Sequence, residues 1–350
     1  MAMNANNGFK PAVHAPKQVS TLCAGVWHAM PLSIPLGLTQ LAPILYLNKA
    51  FKAHVGELNC AISILHIVDF LEKQPMQFAH STLEAADGTR LYTVSWMTDA
   101  PPKAAVVIAH GLAEHIHRYE HVAAFFADTH GFAVYGLDHR GHGKSEGLRT
   151  YFDSMEQPVE DLKRYVETIK PQHTKLFLYG HSMGSLISLL YALKYPNDFA
   201  GLIVTGCTVD VESAAPPPLV WVGRLLDRLI PKVHFLPLDS TGISTDPAVV
   251  QKYNNDPLVD RQPTRVHLAA EIGRNSTLVK QRMSEIKLPV LILHGGADKI
   301  CPPSGSEALY AGVGSKDKTR QIYAGLYHEI HNEPHQQAIL ETMAAWMRER

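Results

Sequence analysis

The chain has 350 residues, 46% of them hydrophobic, and a formal net charge of -1. That length and apolar content suffice for a large buried core, and a balanced charge with no basic tract excludes an electrostatic nucleic-acid binder. Four cysteines, at 23, 60, 207 and 301, show neither metal-ligand spacing nor a disulfide framework, which points to a reducing compartment such as the cytoplasm and to no bound metal.

The first 77 residues form an extension in which Gln18 to Asn48 contains no Asp, Glu, Lys or Arg. This stretch is long enough to raise a membrane question, but Pro31, Pro35 and Pro43 each remove a backbone donor and His28 adds a polar group. Three readings stay open: a segment packed on the rest or without fixed structure, a membrane-surface anchor, and a true span. The stretch starts late for a secretory signal, and no small-residue cleavage site follows it. Val55 to Leu71 has the amphipathic spacing of a helix. Next, His80 to Ala86 and Arg90 to Trp96 flank Asp87-Gly88, a hairpin signal that predicts two antiparallel edge strands.

From residue 104 onward, apolar strand-like runs alternate with helical ones, the rhythm of a mostly parallel sheet covered on both faces. Ala104 to Ala109 predicts a strand leading into His110-Gly111-Leu112. Phe132 to Leu137 predicts another, and the glycines of Asp138 to Gly147 call for a tight loop after it. The charges in that loop raise phosphate binding, but no nucleotide-binding spacing is present, so a structural loop is the reading adopted.

Gly180-His181-Ser182-Met183-Gly184 lies between the apolar run Lys175 to Tyr179 and the helical run Ser185 to Leu193. The chain must reverse there within a few residues, which takes a tight, strained turn. Glycines two places to either side leave room for close backbone approach, and the helix start aims free N–H groups at the apex. A bare G-x-S-x-G also fits an ordinary turn; the strand before and the helix after make it a nucleophile elbow, with Ser182 as nucleophile.

Asp210 to about Arg282 breaks the strand and helix rhythm and reads as an inserted cap. Within it Leu219, Val222, Leu226, Leu229 and Ile230 recur at helical spacing after Pro216-Pro217-Pro218, a helix that either dips into a membrane surface or packs on the core. Leu288 to His294 predicts a late strand, and the loop Gly295 to Ile300 offers Asp298 as an acid. Aspartate there also suits a turn or a helix cap before Pro302-Pro303. Arg320 to Tyr323 predicts the last strand, and the loop Ala324 to Glu329 offers His328 as a base. His331 is a rival three places on, but position directly after the last strand favours His328. A serine nucleophile needs such a base and an acid to orient it, in the chain order serine, acid, histidine on this kind of fold. The N–H groups of Leu112 and Met183 are assigned to an oxyanion hole, where one donor typically lowers the barrier by about 2.7 to 4 kcal/mol.

Several ordered blocks carry a family likeness: His110-Gly111-Leu112-Ala113-Glu114-His115, Arg118-Tyr119, Asp138 to Gly147, the elbow, Asn255-Asp256-Pro257-Leu258, Ala297-Asp298-Lys299-Ile300-Cys301 and Tyr327 to Glu333. Over roughly residues 78–348 the chain resembles the monoacylglycerol lipase and lysophospholipase family of serine hydrolases. The resemblance implies an α/β-hydrolase fold with a cap at about 210–282, the triad Ser182, Asp298 and His328, and the oxyanion donors Leu112 and Met183. It further implies that Glu114, Arg118 and His331 surround the glycerol end of a monoglyceride, a set able to donate to and accept from two vicinal hydroxyls. A plain i, i+4 salt bridge between Glu114 and Arg118 is the other reading, and both can hold. Cys301 matches a cysteine near the family's site and reads as an inhibitor-sensitive thiol.

The expected activity is cofactor-independent hydrolysis of monoacylglycerols through an acyl-enzyme, with an apolar tunnel under the cap for the acyl chain. The partners would be a lipid ester and a membrane surface met through the cap and the N-terminal segment. A lysophospholipase, a broad carboxylesterase or an acyltransferase would use the same residues. From outside the enzymes, a membrane-tethered binding protein would keep the fold without turnover.

Overall fold

The computed structural model describes residues 76–98, 100–210 and 217–350. The uncharged stretch Gln18 to Asn48, the amphipathic stretch Val55 to Leu71, Cys23 and Cys60 lie outside the described residues.

Asp87-Gly88 closes a hairpin between β1 (Gln77–Glu84) and β2 (Arg90–Met97), paired antiparallel from Gln77 opposite Met97 to Glu84 opposite Arg90. Gly88 takes φ 84°, and Asp87 Oδ1 accepts from the Thr89 N–H, as a tight turn requires. Of these two strands only β1 lies at an edge, because β2 pairs on its other side with β4 (Ala133–Leu137). The difference has a physical signature in the sequence: Leu91, Val94 and Trp96 of β2 are fully buried, a load of apolar surface that suits an interior strand.

The remaining strands of the main sheet are β3 (Ala105–Ala109), β5 (Leu176–His181), β6 (Gly201–Thr205), β9 (Val290–Gly295) and β10 (Lys318–Tyr323), all parallel to their neighbours. The order across the sheet is β1-β2-β4-β3-β5-β6-β9-β10. Alternate residues of each central strand feed opposite cores. Val107, Leu178 and Ile292 face one core with α2 (Glu156–Ile169) and α3 (Met183–Lys194), while Ile108, Tyr179 and Leu293 face the other with α8 (Gln336–Arg348). A sheet buried on both faces explains why these strands read as continuous apolar runs. This is the α/β-hydrolase arrangement.

Two features of the topology set the position of a site. The chain leaves β3 toward β4 on one side and later returns to β5 on the other, so a crevice opens beyond the carboxyl ends of β3 and β5. Between β6 and β9 the chain departs from the sheet. This excursion holds α4 (Pro217–Leu229), a two-stranded ribbon of β7 (His234–Leu236) and β8 (Thr264–Arg265), α5 (Pro247–Asn255) and α6 (Val266–Arg282). After β9, α7 (Ser304–Gly312) leads to β10. The helix expected after the proline run is α4, and Val222, Leu225 and Leu229 on it are exposed.

Candidate active site

Ser182 sits between β5 and α3 at φ 54° and ψ -120°, a left-handed conformation that costs a non-glycine residue on the order of 1–3 kcal/mol. Four bonds hold it there. Its N–H donates to Thr205 O at 2.9 Å, and its carbonyl accepts from the Ser185 N–H at 2.8 Å, the Ser185 hydroxyl at 2.7 Å and the Leu186 N–H at 3.3 Å. The flanking glycines are sterically required. A Cβ on Gly180 would lie 2.4 Å from Ser188 Oγ, and one on Gly184 would lie 2.0 Å from Ala109 O, so α3 could not seat against β3. Beyond β3, a Cβ on Gly111 would lie 3.3 Å from Ser182 Cβ, which shows how closely the loop after β3 passes the serine.

On either side of the serine, the N–H groups of Leu112 and Met183 have no protein acceptor among the described residues. Met183 opens α3, where the first N–H groups lack intrahelical partners. The pair therefore supplies free donors beside the serine, the chemistry an oxyanion needs.

The candidate acid and base come from loops that are zipped together. Gly296 N donates to Tyr323 O at 2.7 Å and Ala297 N to Leu326 O at 2.9 Å, while a Cβ on Gly295 would meet Tyr327 O at 2.0 Å. The result is a 2.6 Å contact between His328 Nδ1 and Asp298 Oδ2. Asp298 is almost saturated with donors: His294 Nε2 also reaches Oδ2 at 3.0 Å, and the Ile300 and Cys301 N–H groups reach Oδ1 at 2.8 and 2.9 Å. Burial pushes the Asp298 carboxyl up, but the charge and hydrogen bonds of His328 and His294 outweigh it and hold the group well below the usual carboxylate range. For His328, burial pulls the pKa down and the Asp298 carboxylate more than reverses it, so the net shift is upward. With Nδ1 committed to Asp298, Nε2 is the nitrogen left for Ser182, and both residues line one cavity.

That cavity measures about 50 Å³, with Leu238, Ile243, Tyr253 and Ile300 as apolar wall and Glu114 and Glu329 as polar wall. It is well below the roughly 300 Å³ at which small-molecule pockets start, so this cavity is not by itself the apolar tunnel expected for an acyl chain. A larger cavity of about 300 Å³ lies against β1, β2 and α2, among residues such as Ser81, Thr93 and Gln172, and holds none of the candidate residues.

Behind the polar wall, Arg118 is clamped by two carboxylates. Its Nη1 donates to Glu114 Oε2 at 2.5 Å and Glu329 Oε1 at 2.7 Å, and its Nη2 donates to Glu329 Oε2 at 2.6 Å. The Tyr253 ring covers the guanidinium at 4.7 Å. Glu114 Oε1 in turn accepts from the Gly111 N–H at 2.6 Å, which fixes the loop after β3, and from the Tyr119 hydroxyl at 2.8 Å. The i, i+4 pair of Glu114 with Arg118 is thus present, and Glu114 reaches the cavity while Arg118 and His331 are not on its wall. His331 is fully buried, with Nδ1 at 3.2 Å from the Tyr179 hydroxyl and its ring stacked on Tyr119. Burial pushes its pKa down to about 3, leaving it neutral.

Four residues of this constellation escaped sequence reasoning. Glu329 pairs with Arg118 across 211 positions, and His294 lies inside a strand, where it read as part of an apolar run. Tyr253 comes from α5 in the excursion. Glu333 ties the histidine loop to the excursion, accepting from the Tyr327 N–H at 2.7 Å and the Thr245 N–H at 3.0 Å. Only Glu329 and Glu333 had a signal, two acids within five residues of His328.

The loop after β4 acts structurally. Asp138 Oδ1 accepts from the Ile116 N–H at 2.7 Å and Oδ2 from the Lys144 N–H at 2.7 Å, while Arg140 forms a bidentate pair with Asp161. Cys301 is buried beside the Ser182 hydroxyl, and burial pushes its thiol well above the usual range, an environment that slows thiol chemistry.

Residues 100–335 match the family model Hydrolase_4, described as serine aminopeptidase, S33. A monoacylglycerol lipase of Mycolicibacterium smegmatis is 36% identical over 262 residues, which are 74% of this chain and 93% of that protein. A monoglyceride lipase of Homo sapiens is 33% identical over 252 residues, 71% of this chain and 82% of that one. The crystal structure of a Paleococcus ferrophilus monoacylglycerol lipase aligns with a TM-score of 0.67 at 32% identity, covering 73% of this chain and 98% of that chain.

Proposed function

The chain belongs to the Hydrolase_4 family of serine hydrolases, and from that premise we propose that it cleaves monoacylglycerols to glycerol and free fatty acid through an acyl-enzyme. The observation that carries the proposal is the short contact of Asp298 with His328, which lines the same cavity as a serine held at positive φ.

The proposed steps are those of a serine, histidine and aspartate triad. Ser182 Oγ bonds to the ester carbonyl carbon as its proton passes to His328 Nε2, and Asp298 stabilises the imidazolium through Nδ1–H. The carbonyl oxygen, now charged, accepts from the free N–H groups of Leu112 and Met183. Collapse of this intermediate breaks the bond to the glycerol oxygen, which takes the proton from His328 Nε2. Water then repeats the sequence on the acyl-enzyme and releases the fatty acid. Arg118 and His331 act from behind the wall, Arg118 by clamping Glu114 and His331 by packing under His181, whose ring lies 4.7 Å from that of His328.

We read the excursion at about 210–282 as a cap that must move to admit an acyl chain, because the cavity beneath it is too small for one. Exposed Leu229, Val233, Phe235 and Leu236 give this cap an apolar surface suited to a lipid interface. Among the described residues no helix is long and apolar enough to cross a membrane.

The test is hydrolysis of a long-chain monoacylglycerol beside matched di- and triacylglycerols, with Ser182→Ala as control. Selective turnover that vanishes in the variant is expected; activity surviving in folded Ser182→Ala would overturn the mechanism.

A further inference from the structure

Among the described residues, the polar wall of the cavity presents carboxylates and no lysine or arginine. Of the Arg118, Glu114 and Glu329 trio, only the two acids reach the wall, while the guanidinium sits behind them under the Tyr253 ring with its side chain 7% exposed. Burial and the Glu329 charge push the Glu114 carboxyl up, but the three donors that converge on it, from Gly111, Tyr119 and Arg118, all favour its ionised, accepting form. Two carboxylates and one guanidinium leave the trio with a net charge of -1.

The bonding within the trio also leaves acceptor capacity at two defined atoms. Glu114 Oε1 already accepts twice, and Glu329 Oε2 accepts from Arg118 and from Asn332 Nδ2 at 2.8 Å. Glu114 Oε2 and Glu329 Oε1 each accept one bond among the described residues, and both bonds come from the same Arg118 Nη1, at 2.5 and 2.7 Å. A carboxylate oxygen has two lone pairs, so these neighbouring oxygens each have room for one more donor. Two adjacent hydroxyls match that need; a phosphate, which offers acceptors and negative charge, meets two carboxylates.

We infer that Glu329 is a specificity-determining residue, which with Glu114 makes the alcohol end of the site an anionic double acceptor that selects neutral polyol esters and rejects phosphate-bearing lysolipids. This rests on the monoacylglycerol reading above and adds a residue and a mechanism of exclusion to it. Glu329 directly follows His328, so its charge also bears on the base. Any such effect applies to every ester alike and cancels in a ratio of substrates.

The experiment compares three esters of one fatty acid: the 1-monoacylglycerol, the ethyl ester, which lacks free hydroxyls, and lysophosphatidic acid. Wild type is expected to prefer the monoacylglycerol and to turn over lysophosphatidic acid least. In Glu329→Gln, kcat/KM for the monoacylglycerol relative to the ethyl ester should fall about tenfold, the scale of one hydrogen bond to a charged acceptor. The ratio for lysophosphatidic acid over the ethyl ester should rise, and Glu329→Asp, which keeps the charge, should restrain that rise. Unchanged ratios in Glu329→Gln that still labels with a fluorophosphonate would overturn the inference, reducing Glu329 to a positioning residue for Arg118 or His328. Failure of the underlying reading shows separately, in wild type, as ethyl ester turnover without preference for the monoacylglycerol.

Discussion

Asp298→Asn changes one atom and tests how the site sets a tautomer. In the native site four donors point at the carboxylate: the Ile300 and Cys301 N–H groups at Oδ1, and His328 Nδ1 and His294 Nε2 at Oδ2. An asparagine can keep its oxygen on the two backbone N–H groups, so the loop retains its shape, but its NH₂ then faces both histidines. His328 must answer with Nδ1 as an acceptor, which moves its proton to Nε2 and leaves no base for Ser182. A hydrogen bond to a charged group contributes about 1.5–3 kcal/mol, and a misplaced tautomer adds to its loss. At about 1.4 kcal/mol per tenfold, kcat should fall on the order of 10³ to 10⁴, with KM changed little. The acid limb of kcat/KM provides a second readout. Asp298 raises the His328 pKa, and the base works when neutral, so without that charge the residual activity should persist to lower pH than in wild type. Fatty acid release from a monoacylglycerol across pH, with melting temperature as a folding control, makes the measurement. A loss under tenfold with an unmoved acid limb would refute the role given to Asp298.

Two further outcomes follow from other regions. Leu229→Asp with Phe235→Asp should weaken cosedimentation with phosphatidylcholine vesicles several-fold while hydrolysis of a short nitrophenyl ester in solution persists, because both side chains are exposed on the excursion; unchanged vesicle binding would remove the cap from the interface. Acid should destabilise the protein well before its carboxylates titrate: burial holds His139 near pKa 3, His142 near 4 and His331 near 3, against about 6.5 when unfolded. The unfolded chain binds more protons below pH 6.5, so each of these groups removes about 1.4 kcal/mol per pH unit as pH falls from there toward its folded value. Denaturant melts at pH about 7 and about 5 would show the drop, and a flat profile would contradict the burial of these rings.

The strands, the elbow and the two loops beyond β9 and β10 were legible in the sequence because each is local: an apolar run, a glycine pair, a position after a strand. Ser182, Asp298 and His328 could be named for that reason. The environment of each was not legible. Whether β2 was an edge depended on β4, some forty residues away, and only packing decided it. The Glu329 to Arg118 pair and the His294 donor to Asp298 depend on which strands become neighbours, information that lies in the sheet order. The small cavity was equally invisible, since its walls combine the loops after β3, β5, β9 and β10 with the excursion.

Gly242 O accepts from the His328 N–H at 3.3 Å, Ile243 O accepts from the Glu329 N–H at 2.7 Å, and Glu333 grips Thr245. The excursion therefore supplies part of the backbone scaffold on which His328, the proposed base, rests. Substrate range and turnover are then inherited together. A chimaera that imports a foreign segment in place of residues 210–282 would remove those two carbonyls and lose the setting of His328 along with the old selectivity. Exchanging only the stretch upstream of Asp239 would change what enters while leaving the base on its native support.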